Sequence, residues 1–261
     1  MIPKKIHYCW FGGNPLPESA KKYIETWKKY CPDYEIIEWN ENNFDVTQNQ
    51  YCKEAYEAKK WAFVSDYARL KVLYDFGGIY MDTDVEVVRP LDDLLQYNWF
   101  SGFESEERIQ TGTMGAGWNS TVIKIFLDDY KNRHFIRNDG GFDLTTNVEV
   151  MTKILKEKYK VQLNNTRQIF GDNNLLLPFD YLCCKSLING KIYRTKNTYT
   201  IHHFEGTWVS SWGKFKQKVT KTKVRPLKSK KKYYVRMRPY TKSGSKTYYG
   251  KWSKVKSVKI K

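Results

Sequence analysis

The chain has 261 residues, which suffice for one large α/β domain, alone or with a small appendage. Hydrophobic residues make up 41%, an ordinary value for a soluble globular protein, and the formal net charge is +17. Eighteen of the 45 Lys and Arg residues lie in residues 216–261, which contain no Asp or Glu. Residues 1–215 therefore carry 27 basic side chains against 28 acidic ones, which argues against a nucleic-acid-binding body and isolates a basic tail.

The five cysteines are odd in number and form no C-x-x-C pair, which disfavours a disulfide framework or a zinc knuckle. No apolar run reaches the roughly 18 residues expected of a membrane span. The first ten residues, MIPKKIHYCW, lack the apolar centre of a signal peptide and are typical of a strand. We therefore expect reduced thiols and cytoplasmic residence.

Predicted strands and helices alternate along the chain. Their order indicates an α/β sheet with parallel members, whose ligands lie beyond the carboxyl ends of the strands. Composition changes near residue 215, so we predict one domain over 1–215 and a basic, β-rich tail over 216–261. The predicted strands are 5–10, 34–39, 79–82, 98–103 and 199–203, and the helices are 18–29, 51–60, 62–76, 121–130 and 148–159.

The sharpest chemical feature is the run GGIYMDTD at residues 77–84. The glycine pair would end the preceding helix, because glycine takes the left-handed cap without steric cost. Alternation along a strand would then place Tyr80, Asp82 and Asp84 on one face, toward a cleft. Neighbouring carboxylates repel each other unless a cation such as Mg²⁺ or Mn²⁺ binds between them, and such a cation also binds phosphates.

A bare D-x-D is more often two exposed aspartates than a metal site, by roughly ten to one. The preceding GGIY and the strand context favour the site here. The chemistry that fits is departure of a nucleoside diphosphate, whose developing charge a bound cation stabilises.

Asp66 and Arg69 share one face of the predicted helix over 62–76. They could grip the hydroxyls of a donor sugar, or they could form a surface ion pair of little consequence. The helix is rich in apolar residues, so it is expected to be largely buried, and buried charges need partners. This favours the first interpretation.

Five further residues, in three groups, offer weaker signals. His202 or His203 could supply a third metal ligand, but not both, because successive strand residues face opposite ways. Trp208 could cover a diphosphate or fill a core. Trp10 and Gly12 could hold a nucleotide base or end a strand, and the local glycine pattern does not support a dinucleotide site.

Four segments together resemble the DXD-containing glycosyltransferases of family 32: KKIHYCWFGG, PDYEIIEWNENNFD, AFVSDYARLKVLYDFGGIYMDTDVEV and IHHFEGTW. The resemblance runs in the same order over residues 1–210. It implies a GT-A (Rossmann-like) fold, a nucleotide-sugar donor, a Mn²⁺ or Mg²⁺ ion and retention of anomeric configuration.

The resemblance also implies roles for individual residues. Asp84 would ligate the metal, and Asp82 would contact the donor's ribose and sugar, with a water-mediated contact to the metal. Asp66 and Arg69 would hold the donor sugar, and Tyr80 would support the donor.

At the other end of the donor, Trp10 would lie near the base. His202 or His203, with Trp208, would close the diphosphate end. The family usually has Gly-Ser-Trp where this chain has Gly-Thr-Trp, so Thr207 keeps the hydroxyl.

The basic tail is similar to the last strands of a bacterial fibronectin type III domain, although a complete sandwich needs about 100 residues. Its charge could favour anionic lipid surfaces, which would add peripheral contact with the inner membrane face. A solvated hairpin without a specific partner is the plain alternative.

The acidic motif predicts a metal-dependent transferase, and the resemblance implies that it retains anomeric configuration and acts in surface (capsular) polysaccharide synthesis. It would move a sugar from UDP-sugar, favoured over GDP-mannose, to a saccharide or lipid-linked acceptor. The alternative is a degenerate fold that binds carbohydrate or membrane surfaces through its tail, and nucleic acid is the least favoured partner.

Overall fold

A computed structural model of the chain describes residues 1–187 and 189–206, together with four short strands of the tail. The chain divides into two compact units, Met1–Glu205 and Gly206–Lys261. The predicted domain boundary between residues 215 and 216 lies outside the described residues and stays a prediction.

Strands alternate with helices up to residue 81, as the sequence predicts, but the five strands between residues 78 and 116 follow one another without an intervening α-helix. The strands are β1 (Lys5–Cys9), β2 (Glu35–Trp39), β3 (Gly78–Met81), β4 (Val85–Val87), β5 (Trp99–Ser105), β6 (Arg108–Ile109), β7 (Thr113–Ala116), β8 (Gln168–Phe170), β9 (Asn174–Leu177) and β10 (Thr200–His202). The helices are α1 (Glu18–Tyr30), α2 (Gln50–Glu57), α3 (Trp61–Phe76), α4 (Thr121–Asp129), α5 (Asn147–Tyr159) and α6 (Phe179–Leu182).

The central sheet is mixed and has the order β2-β1-β3-β7-β5-β9-β8, with β6 paired to β5. Strand β1 is parallel to β2 and β3, and β5 is parallel to β9, whereas β7 runs antiparallel between β3 and β5. The α/β class is therefore confirmed. The carboxyl ends of β1, β3, β5 and β9 meet at one edge, where ligands bind in such sheets.

Apolar side chains cover both faces of the sheet. Helix α3 packs on one face with Tyr80 and Met114, and α1 packs on the other with Ile6 and Ile79. Every residue of β3 is buried, which explains its uninterrupted apolar sequence. Trp27 of α1 is fully buried, and a tryptophan that removes about 200 Å² from water contributes roughly 5 kcal/mol.

The connection between α3 and β3 requires two glycines. Gly77 has a φ of 61° and Gly78 a φ of 113°, both in the left-handed region that favours glycine. A Cβ on Gly78 would lie 2.8 Å from His7 Nε2, so the buried imidazole occupies the space of a side chain. The predicted role of this pair as the end of α3 is confirmed.

In the described part of the tail, β11 (Lys232–Val235) pairs with β14 (Lys256–Lys259), and β12 (Tyr240–Ser243) pairs with β13 (Lys246–Tyr249). Both pairs are antiparallel. The similarity to a fibronectin type III domain stays a prediction. Among the described residues, no helix combines the length and the apolarity needed to cross a bilayer.

Candidate functional site

The acidic motif forms a turn. Strand β3 ends at Met81, and Val85 N–H donates to Asp82 O at 3.0 Å, which closes the turn into β4. The predicted alternation from Tyr80 to Asp84 along one strand face is therefore wrong. Tyr80 is also buried instead of facing a cleft, and its hydroxyl donates to Asp82 Oδ1 at 3.0 Å.

Strand β10 brings His202 to this turn from the far end of the domain. It pairs antiparallel with β4, in a register that places His202 opposite Val85. The His202 Nε2 atom lies 3.1 Å from Asp84 Oδ1 and 4.0 Å from Asp82 Oδ2. The three residues can each present a ligand atom within 4.8 Å of the others.

His203 is not part of this cluster. Its Nε2 lies 2.8 Å from Glu86 Oε2, and its ring stacks on Tyr23 with centroids 4.6 Å apart. Successive side chains along a strand point to opposite sides, so the end of β10 sends only His202 toward the aspartates. Of the two histidines proposed as metal ligands, only His202 therefore lies beside Asp82 and Asp84.

Gly112 lies directly against the cluster, where its lack of a side chain lets Asp82 and His202 approach its backbone. A Cβ at this position would lie 2.9 Å from Asp82 Oδ2 and 2.8 Å from the nearest ring carbon of His202. Sequence analysis missed this residue, because a glycine just before a short strand carries no recognisable signal. His202 Nδ1 is buried and has no hydrogen-bond partner among the described residues.

The charges in the cluster are strongly coupled. Burial alone would raise the pKa of Asp84, but the His202 ring and the Glu205 N–H outweigh it and lower that pKa to about 2. Burial alone would lower the pKa of His202, but Asp84 holds it well above its usual value. Without a bound cation, the protonated imidazole thus balances the carboxylate charge.

Two carboxylates and an imidazole suit a divalent cation such as Mn²⁺ or Mg²⁺, which prefers oxygen ligands, and Mn²⁺ in addition accepts nitrogen. A side chain at Gly112 would displace Asp82 or His202, so the glycine allows both donors to lie where they do. The donor set therefore fits the predicted metal.

Arg69 connects helix α3 to the acidic turn. Its Nη1 lies 3.2 Å from Asp82 Oδ1, its Nη2 lies 3.2 Å from Asp66 Oδ1, and Nη1 also donates to Thr111 O at 2.9 Å. Only 5% of Arg69 is exposed. The surface ion-pair alternative is therefore excluded. Burial is the main cause that raises the pKa of Asp66, to about 6, against the opposing charge of Arg69.

Trp10 and Gly12 lie just beyond the carboxyl end of β1, at the same sheet edge as the acidic turn. Trp10 Nε1 donates to Asn14 O at 2.6 Å. Gly12 has a φ of 96°, and a Cβ there would lie 2.6 Å from the ring of Trp61. No described contact joins them to the metal-ligand cluster, and Trp208 lies outside the described residues.

The glycine-capped helix, the acidic turn and the buried Arg69 all fall in one stretch of the chain. Residues 17–101 match the family described as the glycosyltransferase sugar-binding region containing a DXD motif. This match covers Asp66, Arg69, Asp82 and Asp84 but not His202.

Several curated proteins are similar to parts of the chain. Inositol phosphoceramide mannosyltransferase 3 of Schizosaccharomyces pombe is 33% identical over 118 residues, which are 44% of this chain and 33% of that protein. An uncharacterised glycosyltransferase of Acanthamoeba polyphaga mimivirus is 25% identical over 224 residues, covering 80% and 84% of the two chains. The chain thus spans about a third of the length of the fission-yeast relative.

Solved structures of glycosyltransferases are similar to the chain only at low TM-scores. The PaToxG glycosyltransferase has a TM-score of 0.46 and 19% identity, covering 60% of this chain and 69% of that one. The galactosyltransferase LgtC, in complex with donor and acceptor sugar analogues, has a TM-score of 0.41 and 12% identity, covering 82% and 94%. Both TM-scores lie below 0.5, so neither likeness supports a conclusion about this chain.

Proposed function

We propose that this chain is a GT-A-type glycosyltransferase that moves a sugar from a nucleotide-sugar to a saccharide or lipid-linked acceptor. The observation that carries the proposal is the convergence of Asp82, Asp84 and His202 on one point beside Gly112. These ligand atoms come from segments 118 residues apart, and the pairing of β4 with β10 holds them together. The match of residues 17–101 to a DXD sugar-binding region supports the same conclusion.

Asp82, Asp84 and His202 would hold a divalent cation, with Mn²⁺ as the first candidate. When bound, such a cation binds the donor's diphosphate and stabilises the charge that develops as it leaves. The ring of His202 must give up its proton to become a ligand, and Asp84 keeps its charge throughout.

Arg69 and Asp66 would orient the donor sugar. The guanidinium holds Asp82 and Asp66 in a fixed relation, because its planar fork contacts both carboxylates. Asp66 would then accept hydrogen bonds from sugar hydroxyls. We name no protein base, since the leaving phosphate of a retaining transfer can take the acceptor's proton.

The finer assignments are part of the proposal. Membership of family 32 and retention of configuration rest on the resemblance of the four sequence segments. A UDP-sugar donor and surface-polysaccharide acceptors are the first to test. The fission-yeast relative is named as a mannosyltransferase acting on inositol phosphoceramide, so GDP-mannose and a glycolipid acceptor are the second pair.

The test is binding and slow hydrolysis of nucleotide-sugars by the full chain, with and without Mn²⁺. We expect one donor to bind only with Mn²⁺, and Asp84→Asn to abolish both binding and hydrolysis. Asp172→Asn is the matched control, because Asp172 is exposed and precedes β9 at the opposite edge of the sheet. Metal-independent binding, or full activity of Asp84→Asn, would overturn the proposal.

A further inference from the structure

Helix α1 contacts strand β4, which follows the acidic turn, through polar side chains that have no role in the proposed reaction. Trp27 Nε1 donates to Val85 O at 2.7 Å, and Val87 N–H donates to Thr26 Oγ1 at 2.9 Å. These two contacts hold β4, the strand that follows the turn. Helix α1 is therefore fixed relative to the turn before any ligand binds.

The residues after β10 run alongside Asp84. The N–H of His203 donates to Asp84 O at 2.9 Å, and the N–H of Glu205 donates to Asp84 Oδ2 at 2.9 Å. Between them, Phe204 has a φ of 52°, which is unusual for a bulky residue. A bulky residue keeps such a backbone conformation only where surrounding contacts stabilise it. We therefore expect neighbouring side chains to hold residues 203–205 in place.

The side chain of Glu205 is held by α1. Ser19 Oγ donates to Glu205 Oε2 at 2.8 Å, and Tyr23 OH donates to Glu205 Oε1 at 3.1 Å. The Tyr23 ring also stacks on His203, with an angle of 15° between the planes. Burial first, and Glu205 second, raise the pKa of Tyr23 to about 12, so its hydroxyl keeps the proton that it donates at neutral pH.

We propose that Ser19, Tyr23 and Glu205 are positioning residues that fix the carboxylate of Asp84 for cation binding. The inference rests on the proposed function. The Glu205 N–H occupies Oδ2, so Oδ1, which lies 3.1 Å from His202 Nε2, is the oxygen that Asp84 presents to a cation. Partners that orient metal ligands in this way change metal affinity by about 10- to 100-fold.

The experiment measures Mn²⁺ binding alone, with no nucleotide and no turnover. The concentration of free Mn²⁺ is measured from its electron paramagnetic resonance signal during titration of the full chain. We expect the double variant Ser19→Ala, Tyr23→Phe to bind Mn²⁺ about tenfold more weakly than the unaltered chain. We expect Glu205→Gln to fall between them, because its amide keeps one acceptor oxygen for the two hydroxyls.

Tyr30→Phe is the matched control, since it removes the same hydroxyl from the last turn of the same helix. We expect this control to bind Mn²⁺ like the unaltered chain. The aromatic circular dichroism of each variant reports whether the fold is retained. If the double variant does not fold, the single variants Ser19→Ala and Glu205→Gln are compared with Tyr30→Phe instead.

The outcomes separate this inference from the proposed function. If Asp84→Asn loses Mn²⁺ and the folded double variant binds it as tightly as Tyr30→Phe, the positioning role is wrong and the metal site stands. If the unaltered chain binds no Mn²⁺, both the metal site and the positioning role fall. Weaker binding in the double variant, with normal binding in Tyr30→Phe, supports the positioning role.

Discussion

Replacing Gly112 by alanine tests the geometry of the metal site with a single methyl group. The φ of Gly112 lies outside the left-handed region, so alanine is compatible with the backbone there. Its Cβ would lie 2.8 Å from a ring carbon of His202 and 2.9 Å from Asp82 Oδ2, whereas ordinary contacts begin near 3.4 Å. The ring or the carboxylate must therefore move by about half an ångström, and both are cation ligands in the proposed site.

The size of the effect follows from the cost of overpacking. Inserting a methyl group into a well-packed region costs about 1–3 kcal/mol. We expect the cation-free protein to relieve this strain by a shift of the His202 ring, whereas the cation-bound protein needs the ring in place. The strain free energy therefore opposes Mn²⁺ binding, and we expect the Mn²⁺ affinity to drop about 5- to 150-fold.

The assay is a calorimetric titration of Mn²⁺ into the full chain, with Gly117→Ala as the matched control. A Cβ on Gly117 would meet its nearest neighbour, Asn98 O, at 3.7 Å, an ordinary contact. We expect the control to bind Mn²⁺ like the unaltered chain. Equal Mn²⁺ affinity in the two alanine variants would refute the argument that Gly112 lets Asp82 and His202 keep their positions.

Two further predictions concern stability. Arg69→Lys keeps the charge but loses the fork that contacts both Asp66 and Asp82, so we expect urea denaturation to show a loss of about 1–3 kcal/mol. Arg137→Lys, at an exposed ion pair, should change the free energy of unfolding by less than about 0.5 kcal/mol, and equal losses in both would contradict this reasoning. Burial lowers the pKa of His7 from 6.5 to about 4, so the folded chain resists its protonation, and stability should fall by about 3 kcal/mol as pH drops from 6.5 to 4. His7→Gln should flatten this dependence in denaturation measured across that pH range, and His134→Gln, at an exposed histidine, should leave it in place.

Local sequence signals predicted the elements that carry most of the site. The sequence predicted α3 to within one residue at its start, and the two glycines after it predicted its end. The apolar sequence of that helix predicted its burial, and this prediction argued against a surface ion pair between Asp66 and Arg69. Strand β7 was missed because its sequence, TMGA, is short and has no alternation of polar and apolar residues.

The sequence by itself determined which side chains are available for metal and sugar chemistry, because the acidic run and the paired histidines are readable as residues. Only the tertiary structure decided how they meet. The register of β4 against β10 selects His202 over His203, and the loop before β7 brings Gly112 against Asp82 and His202. Helix α1 supplies the hydroxyls that hold Glu205. These contacts join segments far apart along the chain, and local propensity carries no information about partners that only packing brings together.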